Sequence, residues 1–316
     1  MKKRITLFIL MALFVVFIAQ TSNAETRNIV IPAGTMGGSL YTAATVISNV
    51  ITNNVPGLSA SARAGGTTEN ILLLKGKEAS IAMSSGMDYF VATKEQPILS
   101  PDVRSITVLP FLMQVMVVPK DSPANTISDL KGKRVNFGDR RTGQYSVCLH
   151  ILDALGLKES DFRSEYLSSS NSATAFQEGK IDGNFFLTSL PAPALMQMAT
   201  SKMGVKLIRF TDEELNKITK KYPFYKIREI TPTDMPELKL QQSMKFPNYF
   251  PELLVLSSVP DELVYNITKA LVEKHKDLLA GWGSLKWATP QNTVENTAFK
   301  LHPGTEKYYK EKGFLK

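Results

Sequence analysis

The stretch Asn28-Ile29-Val30-Ile31-Pro32-Ala33-Gly34-Thr35-Met36-Gly37-Gly38-Ser39-Leu40-Tyr41 decides the fold class. Asn28 to Pro32 reads as a buried strand, and small residues follow from Ala33 to Gly38. Leu40, Ala43, Ala44, Ile47 and Ile51 then recur at helical spacing from Ser39 to about Thr52. The same order returns. Leu58 to Ala64 reads as a strand that runs into Gly65-Gly66-Thr67-Thr68. A helix from Glu69 to Lys75 follows, with Gly76 where a C-terminal cap belongs. Ala79 to Met83 is a third strand, ending at Ser84-Ser85-Gly86. Strand, small-residue loop and helix, repeated, predict an α/β fold.

In an open parallel sheet, ligands bind beyond the carboxyl ends of the strands. Helix starts there offer free amides and a dipole that favour a negative group. The loops after the first three strands should therefore line one edge of one lobe. Gly34, Thr35, Gly37 and Gly38 are candidate backbone contacts to a ligand, with a plain turn as the alternative. They lack the Lys-Ser/Thr ending of a P-loop and the spacing of a dinucleotide fingerprint. Tyr41 either stacks on the ligand or packs internally. Arg63 ends the second strand and reaches the cleft or the surface. Gly66, Thr67, Thr68, Ser84 and Ser85 offer amides and hydroxyls, with helix capping as the alternative reading.

Outward from there, Gln114 to Pro119 is a continuous apolar strand that begins a second unit. Ser128 to Lys133 reads as a capped turn before the strand Arg134–Phe137. Gly138-Asp139-Arg140-Arg141-Thr142-Gly143 is the next strand-to-helix loop. Arg141 is a candidate bidentate partner for a carboxylate, beside the Thr142 hydroxyl and the Gly143 amide. Its alternatives are a solvated loop arginine or a partner of Asp139. Arg140 is the weaker candidate of the two. A helix through Val147, Ile151 and Leu155 ends at Gly156. Strands are expected at Ser164–Leu167, Gly183–Leu187, Lys206–Phe210 and Leu253–Leu256, and a helix over Asp261–Leu279. Phe186 and Thr188 sit at the matching edge of the second unit, with core packing as the alternative for Phe186. Tyr222 to Pro251, rich in proline and aromatics, has few clear elements.

The N-terminus reads as an export signal. Lys2-Lys3-Arg4 precedes an apolar run from Ile5 to Ala19, and Ser22-Asn23-Ala24 predicts cleavage after Ala24. The run is short for a spanning helix. Cys148 is the one cysteine, so stability must come from burial and not from an internal disulfide. Three of the +8 formal charges belong to the signal, and the rest are scattered, which argues against nucleic acid as a partner. His150, His275 and His302 form no zinc-type pair, no cofactor motif occurs, and no G-x-S-x-G elbow is present. Ser128-Asp129-Leu130-Lys131 matches an S-x-x-K pattern without its S-D-N or K-T-G partners. The chain does not read as an enzyme.

The glycine loop Gly34–Tyr41, the segment Ala64-Gly65-Gly66-Thr67-Thr68-Glu69-Asn70, Leu130 to Val135, Asp182 to Phe186 and Leu301-His302-Pro303-Gly304 occur in that order. In these the chain resembles the TAXI-type solute receptors of tripartite ATP-independent periplasmic (TRAP) transporters. The resemblance implies a two-lobe periplasmic binding protein of type II-like α/β fold, with open mixed sheets, helices on both faces and a hinge of two crossing segments. It implies one lobe over 25–116 plus 248–316 and a second over 117–247. It further implies a monomer that carries a glutamate-like amino acid or small carboxylate to a membrane permease. Asp139-Arg140-Arg141 departs from the neutral loop of that family, and Ile230 to Asn248 lacks its usual turn.

Overall fold

The computed structural model describes residues 26–34, 39–140, 142–189, 193–234 and 236–316. The export signal, Thr35, Gly37, Gly38 and Arg141 lie outside the described residues.

The first unit opens with β1 (Arg27–Pro32), α1 (Ser39–Asn54), β2 (Leu58–Arg63), α2 (Thr67–Lys75), β3 (Ile81–Ser85) and α3 (Gly86–Thr93). β1 and β2 pair in parallel, from Arg27 opposite Leu58 to Pro32 opposite Arg63. β3 lies beside β1 and pairs antiparallel with β12 (Pro251–Leu256), which also pairs antiparallel with β4 (Val103–Val108). Ile81 to Ser85 is buried throughout, which fits a strand covered on both faces.

The second unit begins at β5 (Leu112–Pro119). It continues through β6 (Arg134–Asn136), α4 (Gly143–Ala154), β7 (Arg163–Glu165), α5 (Ser169–Gln177), β8 (Gly183–Thr188), α6 (Pro193–Ala199) and β9 (Val205–Leu207). It closes with α7 (Asp212–Lys221), β10 (Lys226–Ile230) and β11 (Met244–Tyr249). The sheet order is β10-β11-β5-β8-β6-β7, with β9 also on β5. The chain then returns through β12 to α8 (Asp261–Glu273), α9 (His275–Gly281), α10 (Pro290–Asn296) and α11 (Pro303–Glu311). No described helix is long and apolar enough to cross a membrane.

Three elements differ from the sequence reading. The proline-rich region holds the hairpin β10–β11, whose exposed Lys226, Ile227 and Glu229 hide the alternation expected of a half-buried strand. β4 went unassigned. The helix expected over Asp261–Leu279 breaks at Lys274 (φ −103°, ψ 26°).

Buried apolar side chains form two cores. One holds Ile31, Ile47, Leu74, Leu253 and Phe299; the other holds Val115, Phe137, Ile151, Phe176 and Phe246. Two short segments link them, Leu109–Phe111 after β4 and Phe250 before β12. The Leu109 amide donates to the Pro251 carbonyl at 2.7 Å, so the two crossings are bonded side by side. The result is a two-lobed α/β architecture of mixed sheets with one core in each lobe. Met87, from α3 of the first lobe, is buried in the second core, and Phe90 meets Phe224 at 5.6 Å between ring centroids. The lobes touch along α3.

Candidate functional site

The carboxyl ends of β1, β2 and β3 meet on one edge of the first lobe, as the repeated strand-loop-helix order predicts. Asn70, fully buried on α2, fastens this edge. Its amide donates to the Ala33 carbonyl at 2.9 Å and to the Met83 carbonyl at 2.8 Å, tying the ends of β1 and β3. The Gly65 amide donates to the Gly34 carbonyl at 3.2 Å, joining the first two loops.

At the centre of this edge lies Asp88, in the first turn of α3 and 1% exposed. Its carboxylate accepts from Thr67 Oγ1 at 2.7 Å, from Thr68 Oγ1 at 3.0 Å and from the Ser85 hydroxyl. The Asp88 amide donates back to Ser85 Oγ at 3.1 Å, making Ser85 the N-cap of α3. Burial pushes the Asp88 carboxyl above its ordinary range, and the three hydroxyls only partly oppose it. The place in the first lobe where a ligand anion was expected is thus taken by the protein's own carboxylate.

The second lobe contributes the start of α4. A Cβ placed on Gly143 would stand 3.2 Å from Tyr249 Oη, 3.5 Å from Met87 Cε and 3.7 Å from Thr67 Oγ1. A methyl there would make ordinary contact with Met87 and Thr67 and press on the Tyr249 hydroxyl. Gln144 fixes the loop before it, donating from Nε2 to the Phe185 carbonyl at 2.7 Å and packing on Gly138, whose φ of +81° suits glycine. Behind Tyr249 lies Tyr225, 6.2 Å away between ring centroids, with its hydroxyl 2.9 Å from His150 Nδ1. Burial lowers His150 to about 4, so its ring is neutral near pH 7 and shares a hydrogen bond with the Tyr225 hydroxyl.

Gly34, Gly66, Thr67, Thr68, Ser84 and Ser85 come together on one edge, with Thr142 and Gly143 facing them from the other lobe. The hydroxyls differ from expectation in what they offer. Beyond the three bound to Asp88, Ser84 donates to the Thr67 carbonyl at 2.8 Å, Thr142 to the Asp139 carbonyl at 2.7 Å and Thr188 to the Ser189 carbonyl at 3.0 Å. Each has one proton, and each is already engaged. Phe186, expected as a cleft residue, is 3% exposed and packs in the second core, because β8 is covered on both faces. Arg63 is exposed at the end of β2, and Tyr41 is half-buried on α1. Arg140 turns away to stack on Tyr166, 3.9 Å from the ring, and to pair with Glu159 at 3.7 Å.

Asp88, Tyr225 and Tyr249 were missed. Ser85-x-x-Asp88 ahead of an apolar run is a capping-box pattern and would have flagged the first. The tyrosines sit beside or on the hairpin that the sequence hides. Among the described residues no cluster of His, Cys, Asp or Glu is arranged to hold a metal ion.

Comparison with known proteins follows from this geometry. The model of the NMT1-like family matches residues 31–313, nearly the whole described chain. The chain belongs to the NMT1-like family. That match does not name the TAXI type specifically. Over 84 residues the chain is 32% identical to the "Putative aliphatic sulfonates-binding protein" of Escherichia coli K12. The match takes in 27% of this chain and 26% of that protein, so the chain spans about a quarter of the curated relative it matches. A Xanthomonas citri protein solved with ATP bound shares 9% identity over 90% of this chain and 94% of its own, with a TM-score of 0.54. That is a likeness of fold alone. The E. coli periplasmic aliphatic sulphonate binding protein covers 90% of this chain and 83% of its own at 16% identity, with a TM-score of 0.45.

Proposed function

We propose that this NMT1-like chain is an extracytoplasmic solute receptor. It holds a small organic solute with an anionic group between its lobes and passes it to a membrane transporter. The reading rests on one observation: the start of α4 in the second lobe faces the starts of α2 and α3 in the first, across Gly143 and Thr67. The first amides of a helix have no partner within it, and the dipole favours an anion there. With Asp88 filling the first lobe's position, the anionic end of the solute belongs at α4, within reach of the Tyr249 hydroxyl. Closure is favoured only when the solute bridges both faces.

Residues 1–24 are removed on export. The lobes are 25–116 with 248–316, and 117–247, turning about the bonded crossings. The receptor works as a monomer, without cofactor, nucleic acid or turnover. Carboxylates, including glutamate-like amino acids, and sulfonates are the solute classes to expect, the latter from the E. coli relative's name. Delivery to a TRAP-type permease rests on the TAXI-like motifs. An ATP-driven importer serves the same receptor, and the sulfonate relative favours it. A neighbouring gene for a fused multi-span permease, as opposed to an ATPase, separates the two.

A thermal-shift screen of amino acids, carboxylates and alkanesulfonates on mature protein tests the function. Stabilisation without turnover is expected, since a ligand that binds only the native state raises its melting temperature. Turnover of an ester, amide or phosphate, or no stabilising solute at all, contradicts it.

A further inference from the structure

The second lobe carries a hollow of about 580 Å³ that shares no lining residue with the gap between the lobes. It opens where two strands compete for one edge of β5. β8 holds the other edge, and β11 pairs with β5 only at Asn248 and Tyr249. Further along the same edge, Val117 to Pro119 pair with β9. The chain from Leu238 to Met244, entering β11, therefore stands off from β9, and the hollow lies between them.

β9 turns a free edge to this hollow. The Ile208 amide donates to the Met116 carbonyl at 2.9 Å, and Pro119, opposite Val205, has no amide to give. By the antiparallel alternation, Lys206 and Ile208 bond to β5 while the amides and carbonyls of Val205 and Leu207 point outward. No other described strand pairs with that edge, and no described residue bonds those outward groups. An unpaired edge of this kind is a template for another strand.

The surroundings select the charge. Lys120, Lys202 and Lys239 are exposed, come from three separate loops, and their ammonium groups make no ion pair or hydrogen bond with a described residue. Lys206 adds a fourth amine, held by the Ser122 carbonyl at 2.5 Å. None of the described residues lining the hollow is acidic. Lys239 is also kept at φ 49°, a left-handed conformation that side chains disfavour and that often marks functional positions. Beneath the lysines the floor is apolar: Leu207, Leu238 and Met244 are each 8% exposed.

We propose that this hollow docks an extended acidic segment of a partner protein, which adds as a strand to the free edge of β9. Main-chain bonds to Val205 and Leu207 supply the register, and the lysines choose acidic over basic sequence. Apolar side chains of the segment, alternating with the acids, cover the floor. A small anion would meet the lysines and leave the edge unpaired, and a flat membrane surface would not reach the amides inside the hollow. The docking site is separate from solute binding and does not rest on the receptor reading.

The probe is a blocked hexapeptide of alternating glutamate and valine, titrated into mature protein by calorimetry at low ionic strength. It is expected to bind at least tenfold tighter than its lysine-for-glutamate counterpart, and to weaken severalfold in added salt. The same acidic peptide N-methylated at alternate amides keeps every charge and should bind at least tenfold more weakly. Lys120→Gln and Lys239→Gly should each weaken the acidic peptide severalfold. Lys239→Gly relieves the left-handed backbone, so its melting temperature should hold or rise, which separates lost binding from lost folding. Equal binding of the N-methylated peptide overturns strand addition. Glutarate or inorganic phosphate binding as tightly as the peptide overturns the peptide in favour of a small anion. Binding to anionic vesicles alone, or no binding of the acidic peptide, overturns the proposal.

Discussion

Gly143 and Thr67 lie in different lobes and far apart in sequence, yet a methyl group on Gly143 would stand 3.7 Å from Thr67 Oγ1. The glycine sits at the first position of α4, where alanine or valine is tolerated by the backbone. Its lack of a side chain serves the meeting of the lobes. Gly143→Val presses on Tyr249 and Met87, both buried in the second core, and should cost about 1–3 kcal/mol in urea unfolding. It should weaken solute binding at least tenfold, measured by calorimetry. Equal affinity would remove this contact from the site.

Asn70 carries much of the integrity of the first lobe's edge. Asn70→Ala leaves the buried Ala33 and Met83 carbonyls without their side-chain donor. The expected loss is on the order of 3 kcal/mol in urea unfolding, since an unsatisfied buried acceptor bears its full desolvation penalty. A loss under about 1 kcal/mol would show that water or backbone movement takes over both bonds.

Glu252 makes stability depend on pH. It is fully buried on β12, accepts from the Ala298 amide at 2.9 Å and the Thr297 hydroxyl at 2.7 Å, and burial raises its carboxyl from 4.5 to about 7. The folded state then binds a proton that the unfolded state has released between pH 4.5 and 7. Stability from this group is full below pH 4.5 and is lost as pH rises through 7. Glu252→Gln should remove the loss, gaining up to about 3 kcal/mol at pH 8 and little at pH 4. Melting temperatures across that range check the sign; a variant less stable at pH 8 than at pH 4, relative to wild type, would reverse it.

Gly304 explains the Leu-His-Pro-Gly motif without a ligand. His302 Nδ1 caps α11 by accepting from the Gly304 amide at 3.2 Å, and a Cβ on Gly304 would lie 2.2 Å from the Asp261 carbonyl oxygen. That neighbour is backbone and cannot swing aside. Gly304→Ala should cost about 3 kcal/mol or prevent folding, by overpacking of α11 on α8. Normal thermal stability of this variant would mean the two helices part easily.

How much of this was legible depends on the range of the interactions. β1, β2, β3 and the loops that follow them were readable because each strand is a short local segment closed by small residues and followed by a helical pattern. Thr67, Thr68, Ser84 and Ser85 could be placed on one edge for that reason. The roles of the threonines could not be read, because the proton acceptor that orients them, Asp88, lies 20 or more residues away. β10 and β11 were hidden because they are stabilised by pairing with each other and with β5, and Pro247 interrupts the pattern. Tyr249, at the end of that hairpin, was lost with them. Phe186 was ambiguous because a strand buried on both faces gives no sign of which side meets the cleft.

The most direct measurement is a crystal structure of the mature chain grown with the solute that most raises its melting temperature. The account predicts that solute between Gly143 and Thr67, its acid group at the start of α4 and the Tyr249 hydroxyl. A solute bound on another surface, with the gap between the lobes empty, would contradict it.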